Sequence, residues 1–152
     1  MMTNLTLHPK DVVGKIKDML GAPTLGASFL FNPVPASRPK FAVRGKFVSV
    51  YYGKKYTAWR KEAVAKIKEQ NEALDLYLTV VVEQIVLKAK TSKKEYPRGD
   101  ADNFVKAPLD ILTDKNFWTD DDIIINLVSS KRFAEPGEQE RTEVYIYAHE
   151  AT

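Results

Sequence analysis

The sequence predicts one compact α+β domain: a mixed sheet of about four to five strands, two core helices, and an extra N-terminal helix. Three observations carry this. Segments rich in β-branched residues, or alternating with period two, are interleaved with segments of helical period. A chain of 152 residues, 44% hydrophobic, can bury one real core. Cysteine is absent, so neither a disulfide framework nor a thiolate metal site is open to it.

The elements follow in order. In residues 8–20, Val12, Val13, Ile16, Met19 and Leu20 form one helical stripe, with Pro9 in the first turn and Gly21 at the stop. Residues 21–28 read as a loop and 28–32 as a short strand. Pro33, Pro35 and Pro39 end that strand and hold the next stretch extended. A second strand is expected over 46–52. Gly53 then turns into a helix over 54–73, with Tyr56, Trp59, Ala63, Val64 and Ile67 inward and Arg60, Lys61, Lys66 and Lys68 outward. Residues 76–88, with the run LTVVVEQIVL, read as a central strand. A polar loop over 90–99 leads to a helix over 102–112, with Phe104, Val105, Leu109 and Leu112 on its apolar side. Pro108 inside it should kink the helix or open one hydrogen bond. Strands over 123–133 and 142–148 close the domain around a turn at Pro136 and Gly137. In the last strand Val144, Ile146 and Ala148 point one way, Tyr145 and Tyr147 the other. The domain division expected is an N-terminal helical extension over 1–26 and the main domain over 27–150.

Charge is divided unevenly. Residues 1–70 hold 13 Lys and Arg against 4 Asp and Glu, whereas residues 71–152 hold 10 against 16. A basic half suits a polyanion, and an acidic half suits cations. No apolar run approaches the length of a membrane span, and residues 1–10 hold no stretch of signal-peptide length. No membrane partner is expected, and a cytoplasmic location fits.

The informative segment is GDADNFVKAPLDILTDKNFWTDDDIIINLV, residues 99–128. Asp100 and Asp102 stand at the mouth of a helix, where Asp102 or Asn103 is placed to cap it. Lys106 follows Asp102 by four and shares its face. Asp120, Asp121 and Asp122 open a strand. Hydrolysis of a phosphodiester adds negative charge to an anionic centre, and a divalent cation held by carboxylates offsets that charge and activates a water. Magnesium suits such oxygen ligands. The same residues also fit a helix cap, a surface ion pair and a solvated turn. An EF-hand loop is excluded by Val105, which stands where that loop needs glycine. His8 and His149 lie near the chain ends and are assigned no chemistry.

These residues resemble the RusA-type Holliday junction resolvases. The shared features are an Asp-x-Asp-Asn-x-x-Lys run (Asp100, Asp102, Asn103, Lys106), an Asp-x-Leu (Asp110, Leu112), and a Phe-Trp-x-Asp-Asp element (Phe117, Trp118, Asp120, Asp121). A proline-punctuated basic stretch over 33–44 is shared as well. The likeness covers about residues 27–148. It implies a magnesium-dependent endodeoxyribonuclease, with manganese as a substitute, that acts as a homodimer and nicks four-way DNA junctions in symmetric pairs. It implies metal binding by Asp100, Asp102 and Asp121, and a catalytic Lys106. Asp120 ranks below Asp121, because a strand pleat sends neighbours to opposite faces. Asp122 falls where the family pattern is not fixed. The resemblance also makes a bacterial or phage source plausible. Arg38, Lys40, Arg44, Lys46, Lys54 and Lys55 are expected to grip DNA phosphates, with Tyr51, Tyr52 and Tyr56 interleaved for stacking or core packing. Strand 76–88 and the N-terminal helix are the candidate dimer surfaces. The alternatives are a non-catalytic DNA-binding protein and a nuclease preferring other branched DNA.

Overall fold

Residues 142–148 alternate strictly, and in the computed structural model, which describes residues 7–150, both faces of that strand are covered. The expectations for residues 1–6 lie outside the described residues. Among the described residues six strands form: β1 (Leu25–Phe29), β2 (Lys40–Arg44), β3 (Phe47–Tyr51), β4 (Leu78–Val86), β5 (Ile124–Phe133) and β6 (Arg141–Ala148). The helices are α1 (Val12–Leu20), α2 (Lys54–Lys66) and α3 (Ala101–Asp114), with short 3-10 turns at Pro9–Asp11 and Asp121–Ile123. A four-stranded mixed sheet runs β1-β6-β4-β5, and β2 pairs with β3 in a separate hairpin. Within the four-stranded sheet the β4–β5 pair is parallel, and α3 makes the crossover that a parallel pair requires.

One face of the sheet carries the main core. Phe29, Leu78, Val80, Val82, Val144 and Ile146 pack there against Tyr56, Trp59 and Ala63 of α2 and Val105, Ala107, Ile111 and Leu112 of α3. The other face, with Val81, Tyr147, Tyr145 and Val128, takes Val13, Ile16 and Leu20 of α1. The N-terminal helix is therefore the lid of the second face. Farther along that face, the Arg132 guanidinium makes two hydrogen bonds to Glu138, at 2.6 and 2.7 Å, and lies 3.5 Å from Glu83. Arg141 lies 2.8 Å from Glu143.

Four expectations need correction. The first strand is Leu25–Phe29 rather than 28–32, because Leu25, Ala27 and Phe29 alternate onto the core beside β6 while Leu30 points outward. The stretch Lys40–Arg44 is a strand of its own. Helix α2 stops at Lys66, not near residue 73, and Val64 is exposed. Beyond Ile67 the backbone is taken by tertiary partners: Gln70 N–H bonds to Lys115 O and Leu74 N–H to Phe117 O. Finally, β4 is interior, with β6 and β5 on its two edges, so it offers no edge to a partner chain.

Pro108 does not break α3. Its missing N–H leaves the Phe104 carbonyl free, and the buried Gln84 side chain donates to that carbonyl at 2.9 Å. Gln84 in turn accepts from the buried Thr142 hydroxyl of β6.

The Arg132 pair lowers the Glu138 pKa from 4.5 to about 2. A carboxylate with a depressed pKa stabilises the fold above its unfolded value and loses that contribution as pH falls through the folded one. Glu138→Gln should therefore lower the melting temperature at neutral pH. The gap to wild type should close between about pH 4.5 and 2 in a thermal denaturation series. A gap independent of pH would contradict the pairing.

Candidate active site

The expected site residues lie on and around α3. Asp100 is its N-cap, with no side-chain capping bond, and Asp102 sits in the first turn. Asp102 does not cap the helix, which corrects the sequence expectation; there it gains from the helix dipole. Asp100, Asp102 and Lys106 are exposed, and Asn103 and Asp110 are half-buried. Residues 102, 106 and 110 are spaced by four, so Asp102, Lys106 and Asp110 form one row along the helix.

The loop entering this helix is tied to the sheet. Lys131 Nζ donates to the carbonyls of Pro97, at 2.8 Å, and Gly99. Ser129 Oγ donates to Ala101 O at 2.8 Å. Gly99 has φ +106, and a Cβ there would lie 2.9 Å from the Phe104 ring. Glycine is thus needed twice over, for conformation and for space, one residue before Asp100.

The other end is anchored by aromatics. Helix α3 closes with Asn116 at φ 63, Phe117 N–H bonding to Leu112 O, and Asn116 N–H to Thr113 O. This is a Schellman closure with asparagine in the left-handed position. The chain then buries Phe117 and Trp118, and Trp118 Nε1 donates to Thr113 Oγ1 at 2.8 Å. The aromatic pair is a core anchor, and it delivers Asp120, Asp121 and Asp122 to the surface. These acids occupy a 3-10 turn ahead of β5, not the strand itself. The pleat rule that ranked Asp120 below Asp121 does not apply there.

The acids fall into two groups. Asp120 accepts from Asp122 N–H at 3.2 Å, and this bond is the first cause of its lowered pKa. Asp121 is pushed above the ordinary carboxylate range, first by its hydrogen bond to Asp120, with further repulsion from Asp110 and Asp122. Asp110 is raised by burial, against the attraction of Lys106 and Arg60. Asp110, Asp120 and Asp121 therefore share one field. Asp100 and Asp102 stand near the opposite end of α3; eight residues of helix between Asp102 and Asp110 span about 12 Å. Among the described residues no three acidic or histidine side chains converge tightly enough to hold a metal ion by themselves. Asp110 belongs to the motif but was assigned no role; its spacing from Lys106 was the signal for one.

The donor chemistry nevertheless fits magnesium. Every candidate ligand is a carboxylate, and magnesium commonly takes only one or two, completing its shell with water and phosphate oxygens. A raised Asp121 beside three other acids is an anionic field that a cation relieves.

Arg38, Lys40, Arg44, Lys46, Lys54 and Lys55 are all exposed. Three of them ride on the β2–β3 hairpin. Its register places Lys40, Ala42 and Arg44 on one face with Phe47, Ser49 and Tyr51. The other face holds Phe41, Val43, Val48 and Val50, all more than half exposed. Tyr56 is buried in the core, as one of its two expected roles required, while Tyr51 and Tyr52 remain about half exposed. His149 Nε2 lies 2.6 Å from Thr79 Oγ1, and His8 accepts from the Lys10 amide; neither touches the acids.

A family model for endodeoxyribonuclease RusA matches residues 31–147. No curated protein is similar enough to match. The matched span takes in the hairpin, α2, α3 and the Asp120–Asp122 turn, and leaves out α1. Among the described residues, no helix is long and apolar enough to cross a membrane.

Gly99→Ala should cost about 1–3 kcal/mol of stability from backbone strain and the Phe104 clash. Gly14→Ala, at an open helical position in α1, should add about 0.5–1 kcal/mol. Urea unfolding of both variants tests this; equal effects would refute the special conformation at Gly99.

Proposed function

We propose that the chain, which belongs to the RusA endodeoxyribonuclease family, is a divalent-metal-dependent resolvase that makes paired symmetric nicks in four-way DNA junctions. The observation that carries this is the family match over residues 31–147 coinciding with the carboxylate and lysine row along α3. Asp100, Asp102 and Asp121 are the proposed metal-holding residues, with Asp120 and Asp110 as neighbours able to share the charge. Magnesium or manganese held among these carboxylates, as one ion or two, would supply charge compensation and an activated water.

The protein's own groups do the rest. Lys106, between Asp102 and Asp110, offsets the extra charge on the phosphate oxygens. Arg38, Lys40, Arg44, Lys46, Lys54 and Lys55 hold backbone phosphates and set the register of the DNA without reading sequence. A two-fold homodimer matches the symmetry of a junction and places two sites for two nicks. The exposed hairpin face of Phe41, Val43, Val48 and Val50 is an apolar surface that a second copy can cover.

The test is cleavage of a synthetic four-way junction in magnesium, with a linear duplex, a fork and an EDTA control. Wild type should give paired symmetric nicks in the junction and sediment as a dimer. Asp102→Asn should lose roughly 10²–10³-fold in rate while still binding. Binding without cleavage under magnesium or manganese would overturn the enzyme assignment and leave a DNA-binding module. Cleavage confined to the fork would overturn the substrate.

A further inference from the structure

Beside the acidic row lies a cleft of about 430 Å³ between α3, the start of α2 and the strap of residues 36–39. Its working side chains are Arg38, Tyr52, Arg60, Asn103, Lys106 and Asp110. Three cations face one carboxylate, and with Arg60 also paired to Asp114 at 3.4 Å one positive charge is left over, so the cleft favours an anion. The Arg60 pKa is raised above its ordinary value, first by the neighbouring Tyr56 phenol and against a burial cost, and its guanidinium stays charged.

The walls are built before any ligand arrives. Ala36 N–H donates to Asn103 O at 2.9 Å, locking the strap to α3. Gly53 N–H donates to Ser37 Oγ at 3.0 Å, locking the same strap to the entrance of α2. Tyr56 is buried and stacks on Trp59, with centroids 6.3 Å apart. Tyr52 meets Tyr56 edge to face at 5.9 Å and 74°, and it is 48% exposed. A half-exposed aromatic ring, braced by Tyr56, is thus part of the lining of a cationic cleft. A second hollow of about 350 Å³ is also lined by Tyr52, Tyr56 and Arg60, so these three side chains are common to the two.

We propose that this cleft receives one unpaired nucleotide of the DNA substrate, its phosphate met by Arg38 and Lys106 and its base stacked on Tyr52. This deepens the nuclease assignment and rests on it. A paired base inside a duplex cannot reach a recessed cleft, and unstacking it carries an energetic cost. At a branch point that cost is already partly met. The cleft therefore converts shape into selectivity for opened DNA, and Lys106 and Asp110 link it directly to the acidic row. Stacking on an aromatic ring tolerates any base, so the device needs no sequence preference.

The experiment measures binding in EDTA by the full-length chain to a four-way junction, a linear duplex of equal length and a short oligo-dT strand. Wild type, Tyr52→Phe, Tyr52→Ala and Tyr52→Leu are compared. The loss expected for Tyr52→Ala and Tyr52→Leu is about tenfold on the junction and on oligo-dT. Tyr52→Phe should bind as wild type, and duplex affinity should stay the same in all four proteins. Unchanged junction and oligo-dT binding by the Ala and Leu variants overturns the proposal, as does an equal loss on duplex. Cleavage of the junction by wild type is scored separately in magnesium. A cleaving enzyme indifferent to Tyr52 removes the cleft but keeps the nuclease. Tyr52-dependent oligo-dT binding without any cleavage keeps the cleft and removes the nuclease.

Discussion

Pro108 leaves the Phe104 carbonyl without the amide that would ordinarily bond to it, and Gln84 reaches up from β4 to supply the donor. The same Gln84 side chain accepts from Thr142 on β6, so one buried amide links α3 to two adjacent strands. Apolar packing alone sets a helix against a sheet loosely along its axis. A directional bond in a buried site fixes that position, because a slipped helix would strand a carbonyl, an amide and a hydroxyl out of water. Asp102, Lys106 and Asp110 all ride on α3. Their placement relative to the Asp120–Asp122 turn therefore depends on this contact.

The rest of the site is arranged by the same logic of buried anchor and exposed acid. Lys131 and Ser129 hold the carbonyls around Asp100, so a strand of the sheet positions the entrance to α3. Phe117 and Trp118 are sunk in the core, which holds the following acids close to Asp110. Among the described residues, Asp120 alone of these carboxylates has a backbone tether, the Asp122 amide, and the repulsion felt by Asp121 is left to be offset by cations. The hairpin stands in contrast. Its side chains are exposed along nearly the whole of both strands, and a two-stranded hairpin gains little stability alone. Its basic and apolar faces make sense as surfaces for DNA and for a second chain.

Much of this was legible in the residues. The central strand showed in its β-branched run, and the two-faced last strand in its alternation. The acidic row showed in the spacing of Asp102 and Lys106. What stayed hidden was decided by tertiary partners. The end of α2 could not be seen, because it is set by Lys115 and Phe117 accepting the amides of Gln70 and Leu74. The hairpin strand Lys40–Arg44 was missed although Phe41 and Val43 alternate with its polar positions, because it packs on no core and follows a proline-rich stretch that reads as extended loop. The hydrogen bond that Pro108 was foreseen to open is opened, and nothing in the local sequence named Gln84 as its partner. Asp121 comes from a second segment of the sequence, and the field it shares with Asp110 is set by the tertiary fold rather than by sequence spacing.

The most direct test is a double-mutant cycle on the Gln84–Phe104 contact, read by urea unfolding of wild type, Gln84→Leu, Pro108→Ala and the double variant. Pro108→Ala returns a backbone amide to the Phe104 carbonyl, so the carbonyl no longer needs Gln84. Gln84→Leu should then cost about 1–3 kcal/mol alone and at least about 1 kcal/mol less in the Pro108→Ala background. Strictly additive losses would show that the Gln84 amide does not stand in for the missing proline donor, and that this contact does not fix α3 against the sheet.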